Sequence, residues 1–397
     1  MSSPLTLPAD HFGLYVHVPF CVQKCRYCDF ASRPLRNGEV GVPDQYIDAL
    51  IIEAQHRRVE YPQPVHSIFI GGGTPTTLNG TQLRRLWHEV LAQFPQTSDV
   101  EISMEANPGT LNDDVLAALA TLPISRVSLG VQSMHADELA MLGRIHTPEQ
   151  VDEAVTALRA IGIPQINLDL IYALPGQTTD RWQATLRRAL SLTPDHLSCY
   201  SLILEEGTPL TRQVEAGVLP MPGEEEEEDM SRISAAEFSQ AGFLHYEVSN
   251  AARTDAVCRH NLGYWLGRNY LGLGVAATST IDGLRWKNED DVQRYLARVT
   301  NTGTAAAYAE RLAAPERLLE RVMLGLRLRE GFNLAEAEAE CGCHLTDIAG
   351  EEVHALQQEG WLFATDKTLC LTTAGYPLAN MVVARLMAAG EKRLITG

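Results

Sequence analysis

The chain has 397 residues, of which 45% are hydrophobic and 21% are charged, and its formal net charge is −18. This length suits one large and one small domain. The acidic excess excludes a general nucleic-acid-binding surface, which needs basic side chains. The longest apolar run, 270–277, is far shorter than the roughly 20 residues of a membrane-spanning helix, which leaves only peripheral membrane contact open. Because no basic and then apolar leader precedes the first expected strand, we predict a cytoplasmic protein.

Short β-like runs alternate with amphipathic helical stretches over the first 300 or so residues. Between the runs, apolar side chains recur at helical spacing, and Thr147-Pro148 is a typical helix start with Thr147 as N-cap. Repeated β–α units predict a parallel sheet with right-handed crossovers, and six of them predict an α/β fold with a partial (β/α)6 TIM-like barrel. The expected strands are 14–18, 67–70, 100–105, 126–131, 165–171 and 195–201.

The pattern changes near residue 300. Apolar positions within 318–326 share one helical face, and a second helix is expected at 347–359. Two short strands, 361–364 and 368–371, flank Asp366-Lys367 as a hairpin. Two helices and a hairpin predict a smaller α+β domain of winged-helix-like form, so we expect domains 1–300 and 301–397.

Several expected strands carry polar side chains on one face near their carboxyl ends. Barrel interiors are usually filled by branched apolar side chains, and chemistry sits at the carboxyl ends of the strands. Buried polar groups cost free energy unless they are paired or bind a ligand. The pattern therefore predicts a ligand inside the barrel, with a satisfied internal hydrogen-bond network as the alternative. The polar positions are Tyr15, His17, Ser103, Glu105, Ser128, Gln132, Asn167 and Asp169.

Three of the eight cysteines lie close together after the first expected strand, as Cys21-x3-Cys25-x2-Cys28. Clustered cysteines in a chain without a leader indicate metal binding or redox chemistry. A [4Fe–4S] cluster usually takes four thiolates, so three leave one iron open for a further ligand. The amino and carboxylate groups of S-adenosylmethionine (SAM) suit that iron. A zinc site that includes His17 and chance clustering are the alternatives.

A glycine run, Gly71-Gly72-Gly73-Thr74-Pro75, follows the second expected strand. Glycine lets a ligand approach the backbone closely, and the run lacks the Gly-Lys-Ser/Thr of a phosphate-binding loop. Beside a three-cysteine loop it predicts a seat for the amino group of SAM, while a simple turn is the alternative.

The segment 20–28 and the glycine run resemble the radical SAM superfamily. Tyr-Val-His-Val-Pro-Phe-Cys at 15–21, Gly-Val-Gln-Ser at 130–133 and the segment 167–176 resemble the family of oxygen-independent coproporphyrinogen III oxidase. His-Asn-Leu-Gly-Tyr-Trp at 260–265 resembles its heme chaperone HemW subgroup. The resemblance implies a [4Fe–4S] cluster on Cys21, Cys25 and Cys28, and SAM contacts from Tyr15, Tyr27, Gly72, Gly73, Thr74, Glu105, Gln132, Arg144 and Asp169.

Two features distinguish the decarboxylases of this family from the chaperones. The decarboxylases carry a fourth cysteine where this chain has Phe30, and a long N-terminal extension where only 14 residues precede Tyr15. Both differences favour the chaperone subgroup, which implies that heme is bound and delivered to recipient hemoproteins and that an electron donor serves the cluster. The alternatives are decarboxylation of coproporphyrinogen III to protoporphyrinogen IX, and radical chemistry on an unrelated substrate, so enzymatic activity stays open.

The resemblance also suggests a heme ligand. We predict His260 as the axial donor to heme iron, since imidazole is a standard ligand there, with Cys258 as a thiolate alternative. Tyr264 and Trp265 would pack on the macrocycle. Relatives often have Gly-Ala-His where this chain has Ala-Ala-Thr at 276–278, a difference that bears on the affinity for heme.

Overall fold

The computed structural model describes residues 5–36, 39 and 41–396. Its strands, in chain order within the described residues, are β1 (Phe12–Val18), β2 (Phe20–Cys21), β3 (Arg33–Pro34), β4 (Val65–Gly72), β5 (Gln96–Ala106), β6 (Arg126–Gln132), β7 (Gln165–Tyr172), β8 (His196–Ser201), β9 (Leu244–His245), β10 (Asn250–Ala252), β11 (Asn269–Leu273), β12 (Thr278–Ile281), β13 (Leu284–Asn288), β14 (Ala306–Arg311), β15 (Phe332–Asn333), β16 (Leu362–Ala364) and β17 (Thr368–Leu371).

The α-helices connect and cover these strands. Short 3-10 turns lie at Pro75–Thr77, Leu91–Gln93, Pro108–Thr110 and Tyr376–Leu378, and Leu86–Val90 is a π-helical turn. The α-helices of the described residues are α1 (Val42–Glu60), α2 (Gly80–Arg85), α3 (Asp113–Leu119), α4 (Ala136–Leu142), α5 (Pro148–Ala160), α6 (Thr179–Ser191), α7 (Pro209–Glu215), α8 (Glu224–Gln240), α9 (Arg259–Trp265), α10 (Val292–Thr302), α11 (Ala314–Gly325), α12 (Leu334–Cys341), α13 (Leu345–Gln358) and α14 (Ala379–Thr396).

One twelve-stranded sheet dominates the molecule, in the order β14-β13-β12-β11-β1-β4-β5-β6-β7-β8-β10-β9. From β11 to β8 all neighbours are parallel, so their carboxyl ends lie at one edge. The strands beyond them pair antiparallel. The six predicted βα strands are confirmed as parallel neighbours in sequence order. The fold is α/β as predicted, and its sheet is open across the described strands.

Helix α5 illustrates how the local sequence sets these elements. The Thr147 hydroxyl accepts a hydrogen bond from the Gln150 backbone N–H at 3.4 Å, and the Gln150 side chain accepts one from the Thr147 N–H at 3.0 Å. This reciprocal pair is a capping box, which fixes the start of a helix. Val151 and Leu158 are fully buried on its inner face, so the predicted start and apolar face are both confirmed.

The C-terminal residues form a second hydrophobic cluster around α11, α13 and α14, separate from the cluster under the large sheet. A small antiparallel sheet, β15-β17-β16, contains the predicted hairpin. The predicted boundary at 300/301 lies inside α10, and β14 still belongs to the large sheet. The chain leaves that sheet only after Arg311, because β14 pairs with β13; the division into two domains stays a prediction.

Across the described residues, the structure contains no helix with both the length and the apolar character needed to cross a membrane. The longest helix, α1, has 19 residues and carries several charged side chains.

Candidate functional site

A cavity of about 470 Å³ opens at the carboxyl ends of the parallel strands. It is the place at which a parallel α/β sheet ordinarily binds its ligand. With one exception, every residue predicted for the cluster or for SAM lines it: Cys21, Cys25, Tyr27, Cys28, Gly72, Gly73, Thr74, Glu105, Gln132, Arg144 and Asp169. The exception is Tyr15, which lines an adjoining cavity.

The cysteine loop is held against the cavity by backbone hydrogen bonds at its two sides. Its first residue, Cys21, lies in β2, which pairs with β3. In the middle of the loop the Arg26 N–H donates to the Leu142 carbonyl at the end of α4, and the Arg26 carbonyl accepts from the Leu210 N–H in α7, both at 2.9 Å. The loop is therefore a fixed element whose three thiols face one cavity.

The chemistry around the three thiols fits an iron–sulfur cluster. The Thr74 hydroxyl lies 3.9 Å from Cys21 Sγ, and Arg144 Nη1 donates to Cys25 Sγ at 3.3 Å. Such donors stabilise negative sulfur and tune a cluster. Among the described residues no three His, Cys, Asp or Glu side chains converge on the position of a single ion; a cubane instead takes one thiolate at each of three separate irons. The donor set fits that arrangement.

The glycine run has a packing role that the sequence did not reveal. Gly72 has φ of +110°, and a Cβ there would lie 2.4 Å from the His17 ring; a Cβ on Gly73 would lie 2.7 Å from the Phe20 carbonyl oxygen. Only glycine fits both positions. The Gly72 N–H donates to Glu105 Oε2 at 3.0 Å. The close approach seen here is thus between protein groups, and the seat for the SAM amino group stays a prediction.

Two carboxyl groups from neighbouring parts of the sheet give the cavity its electrostatic character. Burial, with the charge of Asp169, raises the pKa of Glu105 to about 8, and burial also raises the pKa of Asp169. Asp169 accepts hydrogen bonds from Ser128 and Asn167, both at 2.8 Å. A positive charge in the cavity would stabilise the ionised forms of Glu105 and Asp169. The arrangement therefore favours a cationic ligand such as a sulfonium or an ammonium group.

Gln132 is the last residue of β6, and Arg144, which follows α4 in the chain, contacts that strand. Arg144 Nη2 donates to the Gly130 carbonyl at 2.6 Å, while its Nε is buried without a partner among the described residues. A buried donor of this kind costs free energy unless a ligand supplies an acceptor. Gln132 has φ of +70°, at an irregularity in the pairing of β6 with β7. Strained backbone in a cavity wall is typical of ligand sites.

The adjoining cavity has a volume of about 420 Å³ and shares Phe30, Gly72 and Glu105 with the first. Phe30 is 63% exposed although it is a large apolar side chain. Sequence reasoning missed the contributions of Tyr270 in β11 and Lys287 in β13, since neither strand was predicted. The complete lining is Tyr15, His17, Phe30, Ala31, Gly72, Glu105, Tyr264, Tyr270, Ala276, Thr278 and Lys287.

His260 lies behind this cavity and does not line it. It is 3% exposed, its Nδ1 contacts Ser67 Oγ at 2.9 Å, and its Nε2 contacts Tyr264 Oη at 3.0 Å. Burial lowers the pKa of His260 to about 3, so the ring is neutral. Both ring nitrogens of His260 have hydrogen-bond partners here, and its role as the heme ligand stays a prediction.

The three other predicted heme contacts, Cys258, Tyr264 and Trp265, differ in position. Cys258 is 5% exposed, its thiol lies 3.6 Å from Glu101 Oε1, and it lines neither cavity. Trp265 packs against a separate cluster that includes Tyr246. Of the motif at 260–265, only Tyr264 reaches the cavity.

Comparison with known proteins places the chain in a class. The family model of the radical SAM superfamily matches residues 15–189, and that of the HemN C-terminal domain matches residues 312–378. A solved structure described as coproporphyrinogen III oxidase (HemN) from Escherichia coli, a radical SAM enzyme, superposes with a TM-score of 0.84 at 26% identity, over 96% of this chain and 92% of that one. The fold and the cysteine loop are those of a radical SAM protein.

Relatives named heme chaperone HemW define the family more closely. The protein from Mycobacterium tuberculosis is 37% identical over 96% of each chain. The one from Bacillus subtilis is 33% identical over 93% of this chain and 97% of its own. The chain therefore belongs to the heme chaperone HemW family, and the resemblance inferred from its motifs is confirmed.

Proposed function

We propose that this protein is a heme chaperone: it binds heme and transfers it to target hemoproteins, and it carries a [4Fe–4S] cluster and SAM. Its relatives of the same family bear that name. The observation that carries the proposal is the aromatic cavity beside the cysteine-lined one, joined to it through Phe30, Gly72 and Glu105. A flat apolar macrocycle suits such a wall of aromatic rings.

The residues of the first cavity have defined tasks in this proposal. Cys21, Cys25 and Cys28 hold three irons of the cluster, which when bound supplies an electron for SAM cleavage. Glu105 and Asp169 offset the positive charge of SAM. Gly72, Gly73 and Thr74 form the adjacent backbone, and Tyr15, Tyr27, Gln132 and Arg144 complete the set of predicted contacts.

The presence of Phe30 favours a heme chaperone over a decarboxylase of coproporphyrinogen III. By resemblance, decarboxylases of the wider family have a cysteine at this position. In this chain a large apolar ring stands there, mostly exposed, at the junction of the two cavities. An exposed aromatic side chain beside a cavity is a typical anchor for a planar ligand.

Binding and delivery are tested together. The anaerobically reconstituted protein is titrated with hemin, and we expect a saturable change in the Soret band. The loaded protein is then mixed with apomyoglobin, either in direct contact or across a membrane that proteins do not cross. Delivery by contact predicts faster formation of holomyoglobin in the mixed sample. Equal rates in the two arrangements, or no binding of hemin, would contradict the proposal.

The recipient hemoproteins, the electron donor and a cytoplasmic location belong to the same proposal. The acidic net charge of −18 favours recipients or donors with a basic docking face, since complementary charge accelerates protein association. Hemin transfer to a basic recipient should therefore slow as salt rises. An increase of the transfer rate with salt would oppose this assignment.

A further inference from the structure

We propose that Lys287 binds a propionate carboxylate of the porphyrin and thereby sets the orientation of the macrocycle in the aromatic cavity. This inference rests on the proposed binding of heme and names the part of the ligand that the cavity recognises. Lys287 lies in β13, and its side chain is exposed at the cavity. Of the four lysines in the chain, it is the one among the described residues that line the two cavities.

The positive charge of Lys287 has no counter-charge within the described part of the chain. Side chains alternate along a strand, so Arg285 and Lys287 share one face of β13. Arg285 forms ion pairs with Glu310, at 3.7 Å, and with Glu320. Among the described residues, the Lys287 ammonium has no ion-pair or hydrogen-bond partner. Its three donors are therefore available to an anionic group of a ligand.

The backbone at Lys287 is held firmly, although the side chain is free. The pairing of β13 with β14 is irregular between Lys287 and Asn288, and such irregularities often re-aim a side chain beside a functional site. Asn288 is 1% exposed, and its side-chain amide donates to Glu53 Oε1 at 2.8 Å and to the Gly274 carbonyl at 2.9 Å. The base of the lysine is thus fixed, and only its flexible stem has to become ordered when a ligand binds.

The rest of the cavity suits a flat macrocycle and supplies no second cation. Its tyrosines provide aromatic surface. Burial lowers the pKa of His17, so that ring is neutral. Glu105 is the one carboxyl group among the described lining residues, and its Oε2 already accepts the Gly72 N–H at 3.0 Å. A carboxylate that enters this cavity therefore finds its cationic partner at Lys287.

The strand order turns this contact into an orientation. In the row β13-β12-β11-β1-β4-β5, β13 carries Lys287 at one end and β5 carries Glu105 at the other. Glu105 belongs to the wall that both cavities share, together with Phe30 and Gly72. Heme bears its two propionates on one edge. With that edge at β13, the opposite edge, which bears no carboxylate, faces the shared wall and the cysteine-lined cavity.

Lys24 is the competing cation. Its Nζ donates to the Phe30 carbonyl at 3.2 Å, on the side of the cysteine loop. A propionate at Lys24 would reverse the orientation of the macrocycle, because Phe30 lies at the junction of the cavities. Lys24 lines neither cavity and already has a hydrogen-bond acceptor, whereas Lys287 lines the aromatic cavity and has none.

The test compares hemin with hemin dimethyl ester, which lacks the propionate charges, on full-length, cluster-loaded protein. The wild type should bind hemin more tightly than the ester. This preference, measured as the ratio of the two affinities, should fall about 5- to 10-fold in Lys287→Met, as loss of one ion pair at a partly exposed site does. Lys287→Arg keeps the charge and should keep most of the preference.

Two further lysines provide matched controls. Lys24→Met and Lys367→Met, the latter at an exposed position in the C-terminal hairpin, should both retain the wild-type preference. Metal-free protoporphyrin IX and its dimethyl ester should repeat the pattern, because the contact does not involve iron. Circular dichroism and iron content show that each variant is folded and loaded.

Contrary outcomes are distinct. A wild type that binds hemin and its ester equally overturns this inference, leaves heme binding intact and requires no variant. A wild-type preference in Lys287→Met, or a preference lost only in Lys24→Met, also overturns it. Failure of the wild type to bind hemin overturns the proposed function itself.

Discussion

At the residue scale, the cluster depends on thiols that the protein already brings to one cavity. We expect anaerobically reconstituted wild type to hold about four irons per chain and Cys25→Ser to lose most of them, because a hydroxyl is a poor ligand for these irons. Iron and sulfide analysis measures this. Cys343→Ser, at a free cysteine in the loop between α12 and α13, is the matched control and should retain its iron; equal loss in both variants would contradict the assignment.

The raised pKa of Glu105 should make the stability of the cluster-free protein depend on pH. Its pKa rises from 4.5 to about 8 on folding, chiefly through burial, so the folded state holds a proton that the unfolded state releases. The free energy of unfolding is therefore highest below pH 4.5, as far as it depends on Glu105, and it falls as the pH rises toward 8. Glu105→Gln should match the wild type near pH 4 and exceed it near pH 8, by on the order of a few kcal/mol. Urea unfolding at several pH values measures this, and parallel curves would contradict it.

Some features of single residues could be predicted from the sequence, and others could not. The parity of Glu105 and Asp169 along their strands identified them as inward-facing, because side chains alternate strictly in a strand. The contact of His260 with Ser67, which in turn contacts His11, was not accessible to such reasoning, since these residues are distant in sequence. A histidine on its own carries no sign of whether its nitrogens are free.

At the element scale, the buried carboxylate of Glu101 holds the short helix α9 in position through hydrogen bonds. Glu101 accepts two backbone N–H groups of α9, and its Oε2 lies 3.5 Å from the buried Arg126. Glu101→Gln replaces an acceptor by a donor and leaves the arginine without its counter-charge. We expect a loss of about 3 kcal/mol in the free energy of unfolding and weaker hemin binding, because α9 carries Tyr264.

The same helix supplies the control for that prediction. Asp99 is largely exposed and pairs with Arg259 at 2.9 Å. Exposed ion pairs contribute about 0–1 kcal/mol, so Asp99→Asn should change the unfolding free energy by less than that. Denaturant unfolding compares the two variants; equal effects would mean that the buried carboxylate does not anchor α9.

Elements with a strong local signal were predicted well. The parallel strands β1 and β4–β8 and the helix α5 follow from apolar runs and capping residues. The sheet extension β11–β14, parallel at β11 and antiparallel beyond it, escaped prediction, because its pairing depends on distant partners and not on local pattern. That extension builds one wall of the aromatic cavity through Tyr270 and Lys287, so this half of the site was also missed.

At the scale of the whole molecule, two cavities adjoin each other at Phe30, Gly72 and Glu105. One has thiols, glycines and carboxyl groups, and the other has tyrosines, an exposed phenylalanine and a lysine. Their common wall at Gly72 and Glu105 places a ligand of one beside a ligand of the other. We therefore expect binding of SAM and of hemin to influence each other, and linkage requires that the effect be the same in both directions.

This coupling gives a prediction for the assembled protein. Hemin titrations of the cluster-loaded protein with and without saturating SAM should give affinities that differ by about 5-fold or more, the range of ordinary coupling between sites. SAM titrations with and without hemin should show the same factor. Identical hemin affinities in both conditions would mean that the two ligands do not meet at the shared wall.

The proposed chaperone function implies that this radical SAM protein handles heme without converting coproporphyrinogen III to protoporphyrinogen IX. The most direct measurement is anaerobic incubation of the cluster-loaded protein with coproporphyrinogen III, SAM and a reductant, followed by chromatography of the oxidised porphyrins. We expect coproporphyrinogen III to be recovered unchanged from a preparation that binds hemin. Formation of protoporphyrinogen IX would contradict it.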